Sequence, residues 1–360
     1  MPLNDLQICR LGSHGRQVPD LADRRAKGLA ERGFAAKVAI VSPQTSVPAV
    51  ICIVGPTASG KSALAMELAR QLKGEILCVD SMTIYRGMDI GTAKPTHTDQ
   101  NDVRHWGLDL VEPTQEFTVA RFVEYADAVI ADCAQRGVPL IAVGGTPLYF
   151  VSLFKGLFEG PGADEELRHR LRSLGGDALH ARLREVDPVS ALRIHANDTK
   201  RLVRALEVFE LTGKPISAQQ TEWSGERSGQ DRHPAVWFGM HWEKEELNRR
   251  INSRARAMVE TNPDQGGGWV EECRALRDKY TALGKTAGEA AGYRELFAYL
   301  DGKQSLSDAL EAIKISTRQL ARRQMKWFRR FQHTTWIDGQ ADRATQAHVV
   351  LQQLRSRVEK

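Results

Sequence analysis

The chain has 360 residues, a net charge of +5 and a pI near 8.9. Hydrophobic residues at 42% and charged residues at 26% supply enough apolar material for two cored domains and exclude a largely disordered chain. Mean hydropathy is −0.38 and the apolar runs, such as Ala49–Val54, are only several residues long, which excludes a spanning helix of ~20.

The first 48 residues mix Gly, Pro, Arg and Ser with little periodicity and read as an extension of the fold. They lack the apolar stretch of a secretory signal. The five cysteines are scattered without a CxxC, so neither a disulfide framework nor a zinc site is expected, and the expected compartment is the reducing cytoplasm. From Ala49 the run AVICIV predicts a buried strand. A glycine-rich turn follows. SALAMELARQLKG then predicts a helix, with Leu64, Leu68 and Leu72 on one face and Gly74 as its stop. EILCVD predicts a second strand ending in Asp80. Thr118 is a candidate N-cap for a helix stopped by Gly137, and PLIAVGG predicts a third strand. Alternating strands and helices of these lengths predict a parallel sheet with helical crossovers.

After Gly160 the pattern is helical and rich in Arg and Glu, which reads as an insertion. Thr221–His233 is polar and reads as a loop, AVWFGMHW returns to strand, and helical periods then continue, broken at NPDQGGG and TALGKTAGE. The expected boundaries are 1–48 extension, 49–159 first part of the α/β core, 160–235 helical insertion, 236–338 core completion with basic helices, and 339–360 tail. Between Ser305 and Phe331 seven basic residues stand against two acidic ones, with Trp327, Phe328 and Phe331 among them. Charge alone leaves two readings open: a solvated helix with an aromatic core stripe, or a surface for phosphate backbones.

Gly55-Pro56-Thr57-Ala58-Ser59-Gly60-Lys61-Ser62 fits GxxxxGK[ST] between a predicted strand and a predicted helix. Glycines let successive backbone N–H groups point inward, the helix N-terminus adds partial positive charge, Lys61 adds a full one, and Ser62 can present a hydroxyl to Mg²⁺. The motif specifies a phosphate ligand. It names neither the nucleotide nor the reaction. Asp80, at the carboxyl end of the second strand, falls where parallel sheets hold ligands. It reads as a metal ligand, a general base or a turn cap. Asp80–Pro95 is a long Gly-containing loop, and such loops are functional more often than not.

GPTASGKS, DSMTIYRGMDIGTAKP, VGGTPLYF, RLVRALEVFELTGKP, AGYREL and TRQLARRQMKWF occur in this order between Ile51 and Phe331. Together they resemble the tRNA isopentenyltransferase (tRNA dimethylallyltransferase) family. The resemblance implies an α/β fold of P-loop NTPase-like type: a parallel-sheet core, an inserted helical domain that binds tRNA, and a helical C-terminal region. It implies transfer of a dimethylallyl group from dimethylallyl diphosphate to N6 of adenosine-37 in tRNAs reading codons that begin with U. Diphosphate leaves, Mg²⁺ assists, and the partner surface is the anticodon stem-loop. It also implies a monomer with no membrane partner. By the same resemblance Asp80 is the general base, Thr57 contacts the diphosphate and the reacting centre, and Arg254 steadies the diphosphate. Without the resemblance, Arg250, one turn away, is an equal candidate. RNA contacts carry over to Asp80, Ser81, Met82, Thr83, Thr146, Arg168, the run Lys200, Arg201, Leu202, Val203 and Arg204, and Tyr293 and Arg294. Two positions depart from the pattern: Lys200 replaces a usual Gln, and Glu289 stands where some relatives carry Arg before GYR. A small-molecule P-loop kinase would share the loop, Lys61 and Asp80 without needing the large insertion or the basic–aromatic helix. A GTPase-type switch would carry NKxD, which is absent.

Overall fold

The computed structural model describes residues 50–156, 160–219, 231–260, 268–331 and 333–358. The leading extension and most of the Thr221–His233 and NPDQGGG segments lie outside the described residues.

Six parallel strands form one sheet: β1 (Val50–Val54), β2 (Glu75–Cys78), β3 (His105–Trp106), β4 (Leu140–Gly144), β5 (Ala235–His241) and β6 (Thr335–Asp338), in the order β3-β2-β4-β1-β5-β6. β1 is central and wholly buried, pairing Ile51 with Ile141 on one side and Val236 on the other. Its unbroken apolar run is what burial on both sheet faces requires. The expected strands are present; β2 ends at Cys78, two residues before Asp80.

Helix α1 (Lys61–Leu72) follows β1 and packs Leu64, Leu68 and Ala69 into the core. Its stop comes one residue before Gly74, with Lys73 in the left-handed region at φ 52°. Gly74 serves close packing instead, since a Cβ there would lie 2.6 Å from the Pro139 carbonyl oxygen. A short helix, α2 (His97–Asp102), precedes β3. α3 (Val119–Arg136) starts at Thr118, whose side chain accepts from the Arg121 N–H at 3.3 Å, and ends at Gly137 with φ 65°. α4 (Pro147–Lys155) follows β4.

The insertion consists of α5 (Glu165–Arg172), α6 (Gly176–Val186), α7 (Pro188–Ala191), α8 (Thr199–Thr212) and α9 (Ile216–Gln219). It has its own apolar core, which includes Leu171, Leu179, Leu183, Leu202 and Leu206. Asp198 caps α8 through the Arg201 N–H at 3.2 Å. A second helical layer follows β5: α10 (Lys244–Val259), α11 (Trp269–Lys279), α12 (Lys285–Gly288), α13 (Tyr293–Leu300) and α14 (Leu306–Phe328). α10, α11, α13 and α14 share a core with Ile84, Tyr85 and Met88 of the Asp80–Pro95 loop.

Residues 343–358, expected within a tail, form α15 (Arg343–Val358) instead. Ala347, Val350 and Leu354 bury against the face of the sheet that α1 covers, so the apolar spacing of this segment is that of a core helix. The basic–aromatic segment divides by face. Phe328 is fully buried, and with Phe331 it packs edge-on in a cluster with Phe150, Phe154 and Trp237, while Arg322, Arg323, Lys326, Arg329 and Arg330 are exposed. The aromatic stripe is therefore core and the opposite face is basic and exposed, an arrangement that both readings of the segment share.

Candidate active site

Parallel strands deliver their following loops to one edge, and here that edge carries Gly55–Gly60 after β1, Asp80 after β2 and Gly145–Thr146 after β4. Between this edge and the second helical layer lies a cleft of about 360 Å³. Thr57, Lys61, Asp80, Thr83, Arg254 and Gln324 are among the residues lining it.

The phosphate loop turns through two left-handed residues, Ala58 at φ 62° and Gly60 at φ 85°. Glycine adopts this conformation freely; alanine does so at a cost of roughly 1–2 kcal/mol. Side chains from outside the loop bind its backbone. Trp242 Nε1 donates to the Ser59 carbonyl at 2.9 Å, Arg250 Nε to Ala58 at 3.0 Å and Arg343 Nη1 to Gly60 at 3.1 Å. The Arg250 guanidinium also lies 4.3 Å over the Trp242 ring. Gln324 Oε1 accepts the Thr57 N–H at 2.8 Å. The two arginines on α10 are placed differently. Arg254 Nη1 reaches Thr57 Oγ1 at 3.4 Å inside the cleft, whereas Arg250 holds loop backbone.

Asp80 sits in the same cleft with its Oδ1 accepting the Met82 N–H at 2.9 Å. Burial raises its pKa above the ordinary aspartate value, against the opposing pull of the Met82 N–H, Lys61, the Thr83 N–H and Arg254. Burial acts on Lys61 in the opposite sense, lowering it from 10.5 to about 8 despite Asp80 and with help from Arg254. Burial likewise disfavours the charge of Arg254, and Asp80 restores part of it. Burial thus pulls the carboxylate and the lysine of one cleft toward their neutral forms from opposite sides. Thr146 Oγ1 accepts the Ser81 N–H at 3.1 Å and lies 3.4 Å from Ser81 Oγ, fixing the turn that carries Asp80. Ser62 is exposed at the start of α1 and lines the cleft.

The other expected RNA contacts divide. Met82 packs against the second helical layer, and Thr83 is buried. Leu202 and Val203 do not face outward: both are buried in the insertion core, because the apolar face of α8 is needed there. Lys200 and Arg201 are exposed on the first turn of that helix. Arg168 and Arg204 converge on Glu207, which is fully buried; Arg168 Nε lies at 2.8 Å and Arg204 Nη1 at 2.7 Å. Tyr293 is buried, edge-on to Trp269, with its hydroxyl donating to Glu272 at 2.7 Å. Arg294 is exposed and paired with Glu295.

Three residues that brace the loops around the cleft are not singled out by the sequence. Glu272 accepts the backbone N–H groups of Asp89, Ile90 and Gly91 at 2.7, 2.6 and 3.2 Å, clamping the far end of the Asp80–Pro95 loop. Lys94 is buried at the root of that loop, bound to the Tyr85 carbonyl at 2.8 Å, to Asp109 at 2.6 Å and to Asp89. Gln324 joins the phosphate loop to β4, its Nε2 donating to the Gly145 carbonyl at 2.6 Å. Lys94 and Gln324 lie within DSMTIYRGMDIGTAKP and TRQLARRQMKWF, but a motif does not show which of its members bonds a separate loop, and Glu272 lies in none of the motifs.

A parallel sheet whose phosphate loop opens onto a cleft with Lys61, Arg254 and Asp80 defines a P-loop-type α/β group-transfer protein. The IPP transferase family model matches residues 83–331, and the chain belongs to that family. It is 46% identical over 294 residues to the tRNA dimethylallyltransferase of Geobacter metallireducens, covering 80% of this chain and 92% of that one. It is 42% identical over 302 residues to tRNA dimethylallyltransferase 1 of Trichlorobacter lovleyi, covering 83% and 96%. The solved tRNA isopentenylpyrophosphate transferase of Bacillus halodurans superposes with a TM-score of 0.63 at 34% identity, covering 86% and 96%. A eukaryotic dimethylallyltransferase, solved acting on tRNA, superposes with a TM-score of 0.71 at 26% identity, covering 84% and 78%.

Proposed function

We propose that this chain is a tRNA dimethylallyltransferase: it moves a dimethylallyl group from dimethylallyl diphosphate to tRNA, at N6 of adenosine-37 in tRNAs that read codons beginning with U. The observation that carries the reading is the junction of a phosphate cradle with a buried carboxylate in one cleft, in a chain of this family. The adenine amine attacks C1 of the allyl group, forming the N6–C1 bond as the C1–O bond breaks. Diphosphate departs with the bonding pair. Asp80 takes the N6 proton, which a weakly nucleophilic amine must shed as it attacks. The loop N–H groups, Lys61 and Arg254 meet the charge that builds on the leaving group. Thr57, which accepts from Arg254, lines the same cleft as Asp80 and would contact the donor's diphosphate and reacting carbon. An adenine stacked in an anticodon loop cannot bring its amine to a buried carboxylate, so the base must swing out.

Lys200 and Arg201 on α8 and the exposed basic face of α14 supply cations for the anticodon stem-loop backbone. Mg²⁺ fits the Ser62 hydroxyl in the cleft, as an ion held mainly by diphosphate oxygens and water needs few protein ligands. Among the described residues no cluster of three or more His, Cys, Asp or Glu could hold a metal, so a protein-only cage is not part of this reading. Bound there, Mg²⁺ would neutralise charge on the diphosphate. No helix of the described residues is long and apolar enough to cross a membrane.

The test is incubation with undermodified tRNA and labelled dimethylallyl diphosphate, followed by nucleoside analysis. The expected product is N6-(dimethylallyl)adenosine; label released only as free alcohol, or a phosphorylated acceptor, would refute the reading and favour hydrolase or kinase chemistry.

A further inference from the structure

We infer that Gln324 is a positioning residue that sets the phosphate loop against the carboxylate side of the cleft. The inference rests on the proposed reaction for its catalytic consequence but not for its structural content. Gln324 is 7% exposed and comes from α14, far in sequence from either partner. One amide makes two directed bonds. Its Oε1 accepts from the Thr57 N–H at 2.8 Å, and its Nε2 donates to the Gly145 carbonyl at 2.6 Å.

Both partners lead directly into the site. Thr57 continues through its hydroxyl to Arg254. Gly145 is followed by Thr146, which holds the Ser81 turn next to Asp80. Gln324 thus ties the donor-side loop to the base-side loop through a single planar group. The loop needs such support at this point. Ala58, the residue after Thr57, is held at φ 62°, a strained conformation for a side-chain-bearing residue that persists only when surroundings impose it. Gly145 leaves the amide its room: a Cβ there would lie 2.6 Å from Gln324 Nε2. A glutamine is also the right group chemically. It accepts and donates without charge, so it adds no repulsion toward an incoming diphosphate. A precisely held loop binds its anion without ordering cost, which is where the effect should appear.

The experiment compares wild type, Gln324→Leu and Gln324→Glu as full chains, by calorimetric titration with inorganic pyrophosphate and by transfer rates from pH 5.5 to 9. Leucine keeps bulk and loses both bonds; the expected loss of pyrophosphate affinity is about fivefold or more, the ratio set by roughly 1 kcal/mol of hydrogen bonding. A glutamic acid reproduces both bonds only while protonated, its O–H donating to Gly145 and its carbonyl accepting from Thr57. The ratio of Gln324→Glu to wild type should therefore start high in acid and fall as the pH rises. Lys61, Asp80, Lys94, Asp99, His105 and Arg254 share the cleft and titrate or stay charged in both proteins, so taking the ratio cancels their common contribution. A leucine variant within about twofold of wild type in affinity and rate overturns the inference, since roughly 1 kcal/mol should have been lost. Leucine and glutamate variants impaired alike at every pH overturn it too, because that is a packing defect. If wild type makes no prenylated nucleoside while pyrophosphate affinity still depends on Gln324 in this pattern, the proposed function falls and the inference stands.

Discussion

Burial pushes the two ends of the cleft in opposite directions, raising Asp80 and lowering Lys61 to about 8. The signs give a pH profile. Asp80 must be ionised to accept a proton, so turnover rises as the pH passes its raised value. Lys61 must be charged to grip a diphosphate, so kcat/KM for the donor falls above about pH 8 in the free protein. Bound diphosphate restores the lysine charge, so kcat should keep its plateau further into alkali than kcat/KM. Identical alkaline limbs for the two would detach Lys61 from donor binding. Asp80→Ala should lower transfer by ~10²–10⁴ while tRNA binding persists; a variant keeping about a tenth of wild-type turnover would end the general-base assignment. Lys61→Ala should raise KM for the donor by roughly 10–100-fold, the worth of one charge-assisted bond.

At the scale of elements, the insertion is held by a buried carboxylate as well as by leucines. Burial alone would raise the Glu207 pKa; the Asp164 N–H, Arg204 and Arg168 outweigh it and hold the group below its ordinary 4.5. A lowered carboxylate stabilises fully above that value and loses its contribution as the pH falls below it. Hydrogen exchange over α5 to α8 should therefore accelerate below pH 4.5 before the sheet opens. Glu207→Ala should destabilise the insertion by roughly 1–3 kcal/mol, because the Asp164 N–H loses its acceptor while Arg168 keeps Glu165 and Arg204 keeps the Pro161 carbonyl; protection unchanged in that variant would contradict the clasp. The same cluster explains what sequence could and could not reveal. The phosphate loop, Asp80 and the long apolar strands are legible because each is local: a motif, a strand end, an unbroken run. β3 has two residues, too few for a pattern to appear, and β6 lacks the apolar run that marks the equally short β2. Leu202 and Val203 share a motif with Lys200 and Arg201, and only helix packing separates buried from exposed members. Glu272 and Gln324 bond loops 179 or more residues away in the chain, where no spacing can signal the contact.

For the whole molecule, the phosphate loop depends on both ends of the described chain. α15 covers one face of the sheet with Ala347, Val350 and Leu354, and its first residue, Arg343, binds Gly60. Deleting residues 343–358 should lower the thermal midpoint and weaken pyrophosphate binding together; loss of one without the other would separate the helix from the loop. Removal of residues 1–48 should leave turnover unchanged, and a dead truncation would make them part of the working protein. The central claim is that the cradle around Lys61 holds the diphosphate end of an isoprenoid donor facing Asp80. Diffraction from a crystal soaked with a non-reactive thio-analogue of dimethylallyl diphosphate tests it most directly. The account predicts diphosphate density against Gly55–Ser62 with the allyl carbon turned toward Asp80; density elsewhere, with the cradle empty, would contradict it.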